Sequence, residues 1–195
     1  MRKIVLMMSV SLDGYMEGPD RDISWHRVDD EVHQDANDFI ARMAGLLSGR
    51  VTYDLMAGFW PTADADPEAP AVMAEFAGIW REIPKYVYSR TLQHADWNTT
   101  IVREVVPEEV RALKERRDAE LGPGDLGLGG ADLAAEFLRH GLVDTIRLYV
   151  HPVLIGRGKP LFPHADTPTG LHLAESRAFG NGVVLLRYDV GHDGT

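Results

Sequence analysis

Three short segments of the chain combine side chains and backbone groups that can bind phosphate. Gly49-Arg50-Val51-Thr52 offers a guanidinium and a hydroxyl, Ser89-Arg90-Thr91 offers two hydroxyls and a second guanidinium, and Gly129-Gly130-Ala131-Asp132 offers a glycine pair. Glycine lets a backbone approach a phosphate closely, and free N–H groups at the start of a helix bind anions. Each segment alone is also typical of an ordinary surface turn. Together the three predict a site for a dinucleotide that carries an additional phosphate.

The glycine pair Gly129-Gly130 differs from the fingerprint of the Rossmann dinucleotide-binding fold. The third glycine is missing, and no acidic residue follows at the distance expected for a contact with the ribose. The sequence therefore argues against a plain Rossmann domain.

Each phosphate-binding segment begins where a predicted strand ends. These strands are predicted at 46–48, 84–89 and 125–128. Open α/β sheets bind ligands at the carboxyl ends of their strands. We therefore expect the three segments to line one edge of a sheet.

The rest of the chain predicts strands that alternate with helices. Residues 3–10 form a continuous apolar run, which is typical of a central strand buried on both faces. Helical spacing of apolar residues predicts helices at 30–43, from 54, around 72–80, at 107–122 and from about 131 to Gly141. Further strands are predicted at 101–102, 145–150, 171–179 and 183–190, the last two joined as a hairpin by Gly180-Asn181-Gly182. The expected fold is α/β, a mostly parallel central sheet flanked by helices with an antiparallel C-terminal hairpin, in a single domain over 1–195.

The composition excludes several classes of function. The 195 residues include no cysteine, which rules out disulfides, thiolate metal sites and cysteine nucleophiles. The eight histidines do not have the spacing of helical metal ligands, so we expect no metal site. A formal net charge of −10 disfavours nucleic acid and membrane partners, and no apolar run has the length of a membrane span. The short apolar stretch after Met1 does not match a signal peptide, and the absence of cysteine favours a cytoplasmic location.

The order of several motifs resembles the dihydrofolate reductase superfamily. The motifs are Ser11-Leu12-Asp13-Gly14, Trp25, Gly49-Arg50-Val51-Thr52-Tyr53, Tyr88-Ser89-Arg90, Gly129-Gly130-Ala131-Asp132-Leu133 and Leu161-Phe162-Pro163. The pattern, which extends from Ile4 to Tyr188, is most similar to the branch that includes the reductase domain of bifunctional riboflavin-biosynthesis enzymes. The resemblance implies a dihydrofolate-reductase-like fold, NADPH as the cofactor, and hydride transfer to a heterocycle.

The resemblance also implies which residues bind NADPH. Gly49, Arg50 and Thr52 would contact the cofactor phosphates, with Arg50 near the ribose phosphate that NADH lacks. Ser89 and Arg90 would flank the adenosine 2′-phosphate. The turn beneath the pyrophosphate would consist of Gly129, Gly130, Ala131 and Asp132, and the nicotinamide would be met by Ser9, Asp13 and Met16.

The sequence leaves the proton donor open. The resemblance implies a carboxylate on the first helix, but counting forward from Trp25 gives Asp30, whereas counting back from Gly49 gives His33. Bound water is a third source of the proton. Asp30 also suits a helix N-cap, and His33 also suits a solvated surface position. Trp25 either stacks near a planar substrate or belongs to the core.

The expected function is that of an NADPH-dependent reductase acting on a small heterocyclic substrate. It resembles 5-amino-6-(5-phosphoribosylamino)uracil reductase of riboflavin biosynthesis or dihydrofolate reductase, without the sequence signature of a zinc deaminase. The turn Gly156-Arg157-Gly158-Lys159-Pro160 either binds the phosphate of a ribosyl substrate or is an exposed basic turn. Two alternatives are a non-catalytic protein that binds NADPH or an antifolate-like ligand, and a flavin-like or quinone reductase. The apolar C-terminal hairpin and the resemblance favour a homodimer.

Overall fold

A computed structural model gives the structure of residues 1–162 and 168–191; Pro163, the last residue of the Leu161-Phe162-Pro163 motif, lies outside the described residues. The strands are β1 (Ile4–Ser11), β2 (Tyr15–Glu17), β3 (Gly45–Gly49), β4 (Lys85–Tyr88), β5 (Thr99–Val102), β6 (Leu126–Gly129), β7 (Thr145–His151), β8 (Lys159–Pro160), β9 (Leu171–Ala178) and β10 (Val184–Val190). The helices are α1 (Asp30–Ile40), α2 (Arg50–Ala57), α3 (Ala71–Glu82), α4 (Pro107–Glu115), α5 (Asp118–Leu121) and α6 (Ala131–Arg139), with short 3₁₀ helices at Pro19–Arg21 and Trp60–Thr62. None of these helices is long and apolar enough to cross a membrane.

The strands form one eight-stranded sheet in the order β5-β4-β3-β6-β1-β7-β10-β9. Neighbouring strands from β5 to β7 are parallel, whereas β10 runs antiparallel to both β7 and β9. The predicted fold class, a mostly parallel sheet with an antiparallel C-terminal hairpin, is therefore confirmed. The hairpin closes at Gly182, whose φ of 89° suits glycine, and the Phe179 N–H donates to the Val183 carbonyl at 2.8 Å.

Helices cover both faces of the sheet because successive strand residues point to opposite sides. Tyr86 packs in the cluster that holds Leu113 of α4 and Phe137 of α6. The next residue, Val87, packs with Trp80 of α3 on the other face. The apolar strand runs therefore have no solvent-facing side, which is why they lack an alternating pattern.

Two helices, α1 and α4, end earlier than the sequence predicts. Helix α1 ends at Ile40 and not at Met43, because the chain must turn at 41–44 to enter β3. The helix predicted over 107–122 is interrupted at Arg116, where the backbone is extended (ψ 138°). The Arg2 guanidinium donates to the Arg116 and Gly122 carbonyls, so a long-range contact holds this break.

Helix α2 begins four residues earlier than predicted, at Arg50 directly after β3. Gly49 is the N-cap, with extended φ and ψ of −80° and 166°. The Gly49-Arg50-Val51-Thr52 segment is therefore the first turn of a helix and not a loop before one.

The two-stranded sheet of β2 and β8 has no counterpart in the sequence prediction. Its strands are too short to show a hydrophobic period. The close approach of the two strands depends on glycine at position 158. Gly158 has a φ of 146°, and a Cβ added there would lie 2.1 Å from the Glu17 carbonyl oxygen.

Candidate functional site

The carboxyl ends of β4, β3 and β6 lie side by side in the sheet. Strand β3 is parallel to both neighbours, with Gly49 opposite Tyr88 and Ser48 opposite Gly129. The chain therefore leaves the three strands at the same edge. As a result, the three segments predicted to bind phosphate come together, as the sequence argument required.

A groove of about 600 Å³ opens at this edge, a volume within the range of small-molecule sites. Residues expected to bind the cofactor make up much of its lining: Met16, Gly49, Arg50, Thr52, Ser89, Arg90, Gly130, Ala131 and Asp132. A cavity of about 650 Å³ lies at the opposite edge, near Ile79, Ile83 and Leu121, where the amino ends of β3 and β4 lie. That cavity is mostly apolar and contains none of the predicted segments.

Two helices begin at the groove without a side-chain cap. The N-cap residues are Gly49 for α2 and Gly130 for α6, and neither helix start receives a side-chain cap hydrogen bond from the described residues. The first N–H groups of a helix carry partial positive charge and bind anions when they are free. Both helix starts can therefore donate to phosphate oxygens in one groove.

Gly130 and Thr52 bring the two helix starts into contact. The φ of Gly130 is 93°, and a Cβ there would lie 2.7 Å from the Thr52 Oγ1. At Gly129 and Gly49, by contrast, a Cβ would have no other atom within 4 Å. Gly130 is therefore fixed by the fold, whereas Gly49 and Gly129 leave open space where a ligand can approach the backbone.

The groove carries a local balance of charge in a strongly acidic protein. Its basic side chains are Arg21, Arg50, Arg90, Arg103 and Lys159, and its acidic side chains are Glu17, Glu104, Asp132 and Glu136. Arg21 and Arg90 form no ion pair with any residue in 1–162 or 168–191. The whole chain has a formal net charge of −10. The groove nevertheless offers cations that could bind an anionic ligand.

One wall of the groove is the turn that follows β4. Ser89 is mostly buried, and its Oγ accepts hydrogen bonds from the Thr91 and Leu92 N–H groups at 3.3 and 3.0 Å. Ser89 therefore shapes the turn, while the exposed Arg90 side chain faces the groove.

The small β2–β8 sheet borders another part of the groove. Met16 and Lys159 line it from these two strands. The Lys159 Nζ lies 2.6 Å from the Asp132 Oδ2 in the first turn of α6, so an ion pair joins the small sheet to α6. Asp132 thus pairs with a cation at the place where the resemblance implied pyrophosphate.

Three residues expected to bind the cofactor do not line the groove. Ser9 is part of β1, and Gly129 ends β6 beside the groove. The Asp13 carboxylate accepts the Ile155 and Gly156 N–H groups at 3.2 and 2.8 Å. Hydrogen bonding to Ser11 and to these N–H groups lowers the Asp13 pKa, so the carboxylate holds the 155–156 turn.

The two candidate proton donors occupy the first turn of α1 and do not line the groove. Asp29, not Asp30, caps the helix, because its Oδ1 accepts the Val32 N–H at 3.0 Å. The capping role considered for Asp30 is therefore wrong, and Asp30 is exposed as the first helical residue. The His33 ring lies 5.7 Å from Trp60, and burial lowers its pKa, so His33 is not a solvated surface residue.

Trp25 belongs to an aromatic cluster that the sequence did not predict. Its ring lies edge-on to His26 and His151, with centroids 4.2 and 5.6 Å away, and its Nε1 donates to the Asp22 carbonyl. The His26 and His151 rings stack at 4.9 Å. Within the described part of the chain, no group of three or more His, Asp or Glu side chains is arranged to hold a metal ion.

A family model for the RibD C-terminal domain matches residues 2–185. The chain belongs to the RibD C-terminal domain family. This confirms the resemblance inferred from the order of the motifs. An uncharacterized Bacillus subtilis (strain 168) protein, YyaP, is 34% identical over 189 residues, which cover 96% of this chain and 94% of YyaP.

Solved structures with low sequence identity share the fold of this RibD C-terminal domain. A protein from Shewanella sp. PV-4 named for riboflavin biosynthesis has a TM-score of 0.74 and 20% identity, covering 98% of this chain and all of that one. A diaminohydroxyphosphoribosylaminopyrimidine deaminase/5-amino-6-(5-phosphoribosylamino)uracil reductase from Thermotoga maritima has a TM-score of 0.63 and 14% identity, covering 97% of this chain and 57% of that one. These likenesses support the dihydrofolate-reductase-like fold.

In this RibD C-terminal domain, sequence reasoning missed three cations of the groove: Arg21, Arg103 and Lys159. Arg103 follows β5, the edge strand parallel to β4, so it repeats the strand-then-arginine pattern of Ser89-Arg90. This pattern could have predicted that Arg103 lines the groove. Lys159 was noted only as part of a basic turn, because nothing local shows that β8 pairs with β2.

Proposed function

We propose that this protein is an NADPH-dependent reductase that transfers hydride to a C=N or C=O bond of a small heterocycle. The proposed substrate class is a ribosylaminopyrimidine of riboflavin biosynthesis or a dihydropterin. Membership of the RibD C-terminal domain family supports a reductase. The name of the Thermotoga maritima relative supports the aminopyrimidine class.

The observation that carries the proposal is the convergence of two uncapped helix starts and several arginines in one groove, of which Arg90 forms no ion pair within residues 1–162 and 168–191. A dinucleotide with a 2′-phosphate needs donors for its pyrophosphate and separate cations for the extra phosphate. The starts of α2 and α6 suit the first need, and Arg50 and Arg90 suit the second. The open space above Gly49 and Gly129 fits the close approach of a bound nucleotide.

In this proposal the chain binds and orients, while bound NADPH supplies the hydride. Backbone N–H groups at the starts of α2 and α6 would hold the pyrophosphate, and the close approach of Gly130 to Thr52 places these two helix starts side by side. Arg50 and Arg90 would hold the additional phosphate. Met16 in β2 and Lys159 in the paired strand β8 border one end of the groove, where they would lie against the bound cofactor or substrate.

The proton that the reduction consumes needs a source near α1. Burial lowers the pKa of His33, which disfavours the protonated form of its ring. Asp30, three residues earlier on the same helix, is the other side-chain candidate, and water is the third source. We propose Asp30 as the group that directs the proton to the substrate.

The test is steady oxidation of NADPH by the purified protein with a panel of phosphoribosylaminopyrimidines, dihydropterins and quinones. Turnover with a pyrimidine or pterin supports the proposal. Turnover with quinones alone would instead indicate a broad quinone reductase. Tight NADPH binding with no turnover across the panel would favour the non-catalytic binding protein, a reading motivated by the position of Asp30 and His33 outside the groove lining.

A matched pair of variants on α1 tests the proton role. Asp30→Asn should lower turnover by about tenfold or more with an unchanged dissociation constant for NADPH, since general acid catalysis is commonly worth at least that factor. Asp38→Asn is the control, because Asp38 is also an exposed carboxylate of α1. Equal activity of the two variants would leave water as the proton source.

A further inference from the structure

The side chain of Arg103 reaches across from the end of β5 to the turn that follows β4. One nitrogen, Nη1, donates to the Ser89 carbonyl at 3.1 Å and to the Leu92 carbonyl at 2.6 Å. Arg103 also lines the groove together with Arg90. A single guanidinium therefore bridges the two ends of the turn that contains Arg90.

The same turn is held at two other points. The Ser89 N–H donates to the Val102 carbonyl at 2.8 Å, which continues the pairing of β4 with β5 for one more residue. The Ser89 Oγ accepts the Thr91 and Leu92 N–H groups. Arg90 itself takes no part in these contacts, and its side chain stays exposed.

The turn therefore presents Arg90 from a backbone that other residues fix. An exposed turn without such anchors samples several conformations, and binding a ligand must then restrict them at a cost in free energy. Without Arg103, the Ser89 and Leu92 carbonyls would form hydrogen bonds with water instead. Arg103 reduces the freedom of the turn before any ligand arrives.

We infer that Arg103 is a positioning residue that sets the preference for NADPH over NADH by holding the 89–92 turn and so directing Arg90. This inference rests on the proposed function, because it assumes that the additional phosphate binds beside Arg90. Arg103 acts mainly through Arg90, and its own charge makes a smaller contribution to the field of the groove.

A double-mutant cycle separates positioning from an independent contact. Dissociation constants for NADPH and NADH are measured for the unaltered protein, Arg103→Gln, Arg90→Gln and the double variant. Arg103→Gln should weaken NADPH by about tenfold and NADH by less than about twofold, as loss of one charge-assisted contact implies. In the Arg90→Gln background the same change should weaken NADPH by less than about twofold.

An equal loss of NADPH affinity in both backgrounds would overturn the inference, because Arg103 would then act without Arg90. If the unaltered protein does not bind NADPH, the proposed function fails instead. The control is Arg42→Gln: the Arg42 Nε also donates to a backbone carbonyl, that of Asp38, but Arg42 lies at the opposite edge of the sheet. It should change neither dissociation constant.

A measurement without cofactor tests the turn directly. Trypsin should cleave after Arg90 several-fold faster in Arg103→Gln than in the unaltered protein or in Arg42→Gln, because cleavage reports local opening. The thermal midpoint should stay the same, since the side chain is exposed. Ser89→Ala removes the internal bonds of the same turn and should also speed this cleavage and weaken NADPH selectively. Unchanged cleavage in both variants would show that Arg103 does not hold the turn.

Discussion

At the scale of single residues, Gly129 and Gly130, which are adjacent at the start of α6, differ in the physical reason for being glycine. Gly130 needs its left-handed φ and its closeness to Thr52. Gly129 has neither constraint, and a side chain there would only enter open space. The fold therefore requires the second glycine, whereas the first leaves space that the proposed cofactor would use.

Gly130→Ala should lower the free energy of unfolding by about 2 kcal/mol, because it combines positive φ with a steric conflict. Gly129→Ala should change it by less than about 0.5 kcal/mol, as expected for a site that meets no other atom. Gly129→Ala should nevertheless weaken NADPH binding, since the methyl group would extend into the open space beside the groove. Urea unfolding and cofactor titration of both variants measure the contrast; equal losses of stability would contradict it.

Arg50 is the residue at which cofactor preference is easiest to test. Its guanidinium is half exposed and lies 3.6 Å from Asp54, a distance that indicates only a weak ion pair. Arg50→Ala should therefore leave stability nearly unchanged and weaken NADPH by about tenfold or more, as loss of a charge-assisted phosphate contact implies. Isothermal titration with both cofactors checks this: NADH should lose little, and equal losses for NADPH and NADH would remove Arg50 from the phosphate site.

At the scale of elements, carboxylates fix α1 to the C-terminal half of the sheet: Glu31 bonds Arg177 and the Gly180 N–H, and Asp35 makes more contacts. One carboxylate oxygen of Asp35, Oδ2, accepts hydrogen bonds from the Arg147 guanidinium at 2.5 Å and from the Tyr149 hydroxyl at 2.7 Å. The other oxygen, Oδ1, accepts one from the Arg177 guanidinium at 3.0 Å. Arg147 is buried, and burial raises the pKa of the Tyr149 hydroxyl. The helix that carries Asp30 and His33 therefore takes its position from β7 and β9.

Asp35→Ala should lower the free energy of unfolding by about 3 kcal/mol, because it leaves the buried Arg147 without its main partner. Asp38→Ala is the control on the same helix, and its exposed carboxylate should contribute less than about 1 kcal/mol. Chemical unfolding of the two variants gives the comparison. Similar small losses would show that the Asp35 contacts do not anchor α1.

The elements show what a sequence pattern can and cannot predict. Periodicity identified the core strands and most helices, because burial of a face leaves a regular spacing of apolar residues. It failed where distant residues decide the backbone, as at Arg116, whose carbonyl bonds Arg2. It also failed at β2 and β8, whose pairing brings residue 15 opposite residue 160.

The candidate site was likewise predictable where local patterns decide the structure and not where distant residues do. Gly49-Arg50, Ser89-Arg90 and Gly129-Gly130 were predictable because each lies at the end of a recognisable strand, and parallel strands share an edge. The hydrogen bonds of Asp13 to residues 155 and 156 were not predictable, since they join parts of the chain that no local pattern connects. The stacking of the His26 and His151 rings was not predictable for the same reason.

At the scale of the whole molecule, buried neutral histidines should make stability depend on pH. The His151 ring is fully buried; burial, with smaller effects of His26 and Arg27, lowers its pKa from 6.5 to about 4. Its Nδ1 accepts the Arg27 N–H at 2.9 Å, which requires the neutral ring. The unfolded chain protonates this ring near its ordinary pKa, so acid favours the unfolded state.

The free energy of unfolding should therefore fall by roughly 2 kcal/mol between about pH 7.5 and about pH 5 from His151 alone. The loss begins below the unfolded pKa and is complete near the folded one. His151→Asn keeps an acceptor for Arg27 and removes the titration, so its unfolding energy should depend less on pH in this window. Urea unfolding at both pH values measures the difference; an identical dependence in the variant would assign it to His26, His33 or other groups.

The position of β1 in the sheet has a consequence for how the chain acquires its structure. This strand precedes β6 and β7 by more than a hundred residues in the chain, yet it lies between them, with Ile4 opposite Leu126 and Val5 opposite Thr145. Its apolar residues must stay unpaired during synthesis until most of the polypeptide has emerged, and contacts so distant along a chain slow folding. The nascent chain therefore exposes an apolar strand until its distant partners are made, so we expect its folding yield to be sensitive to aggregation.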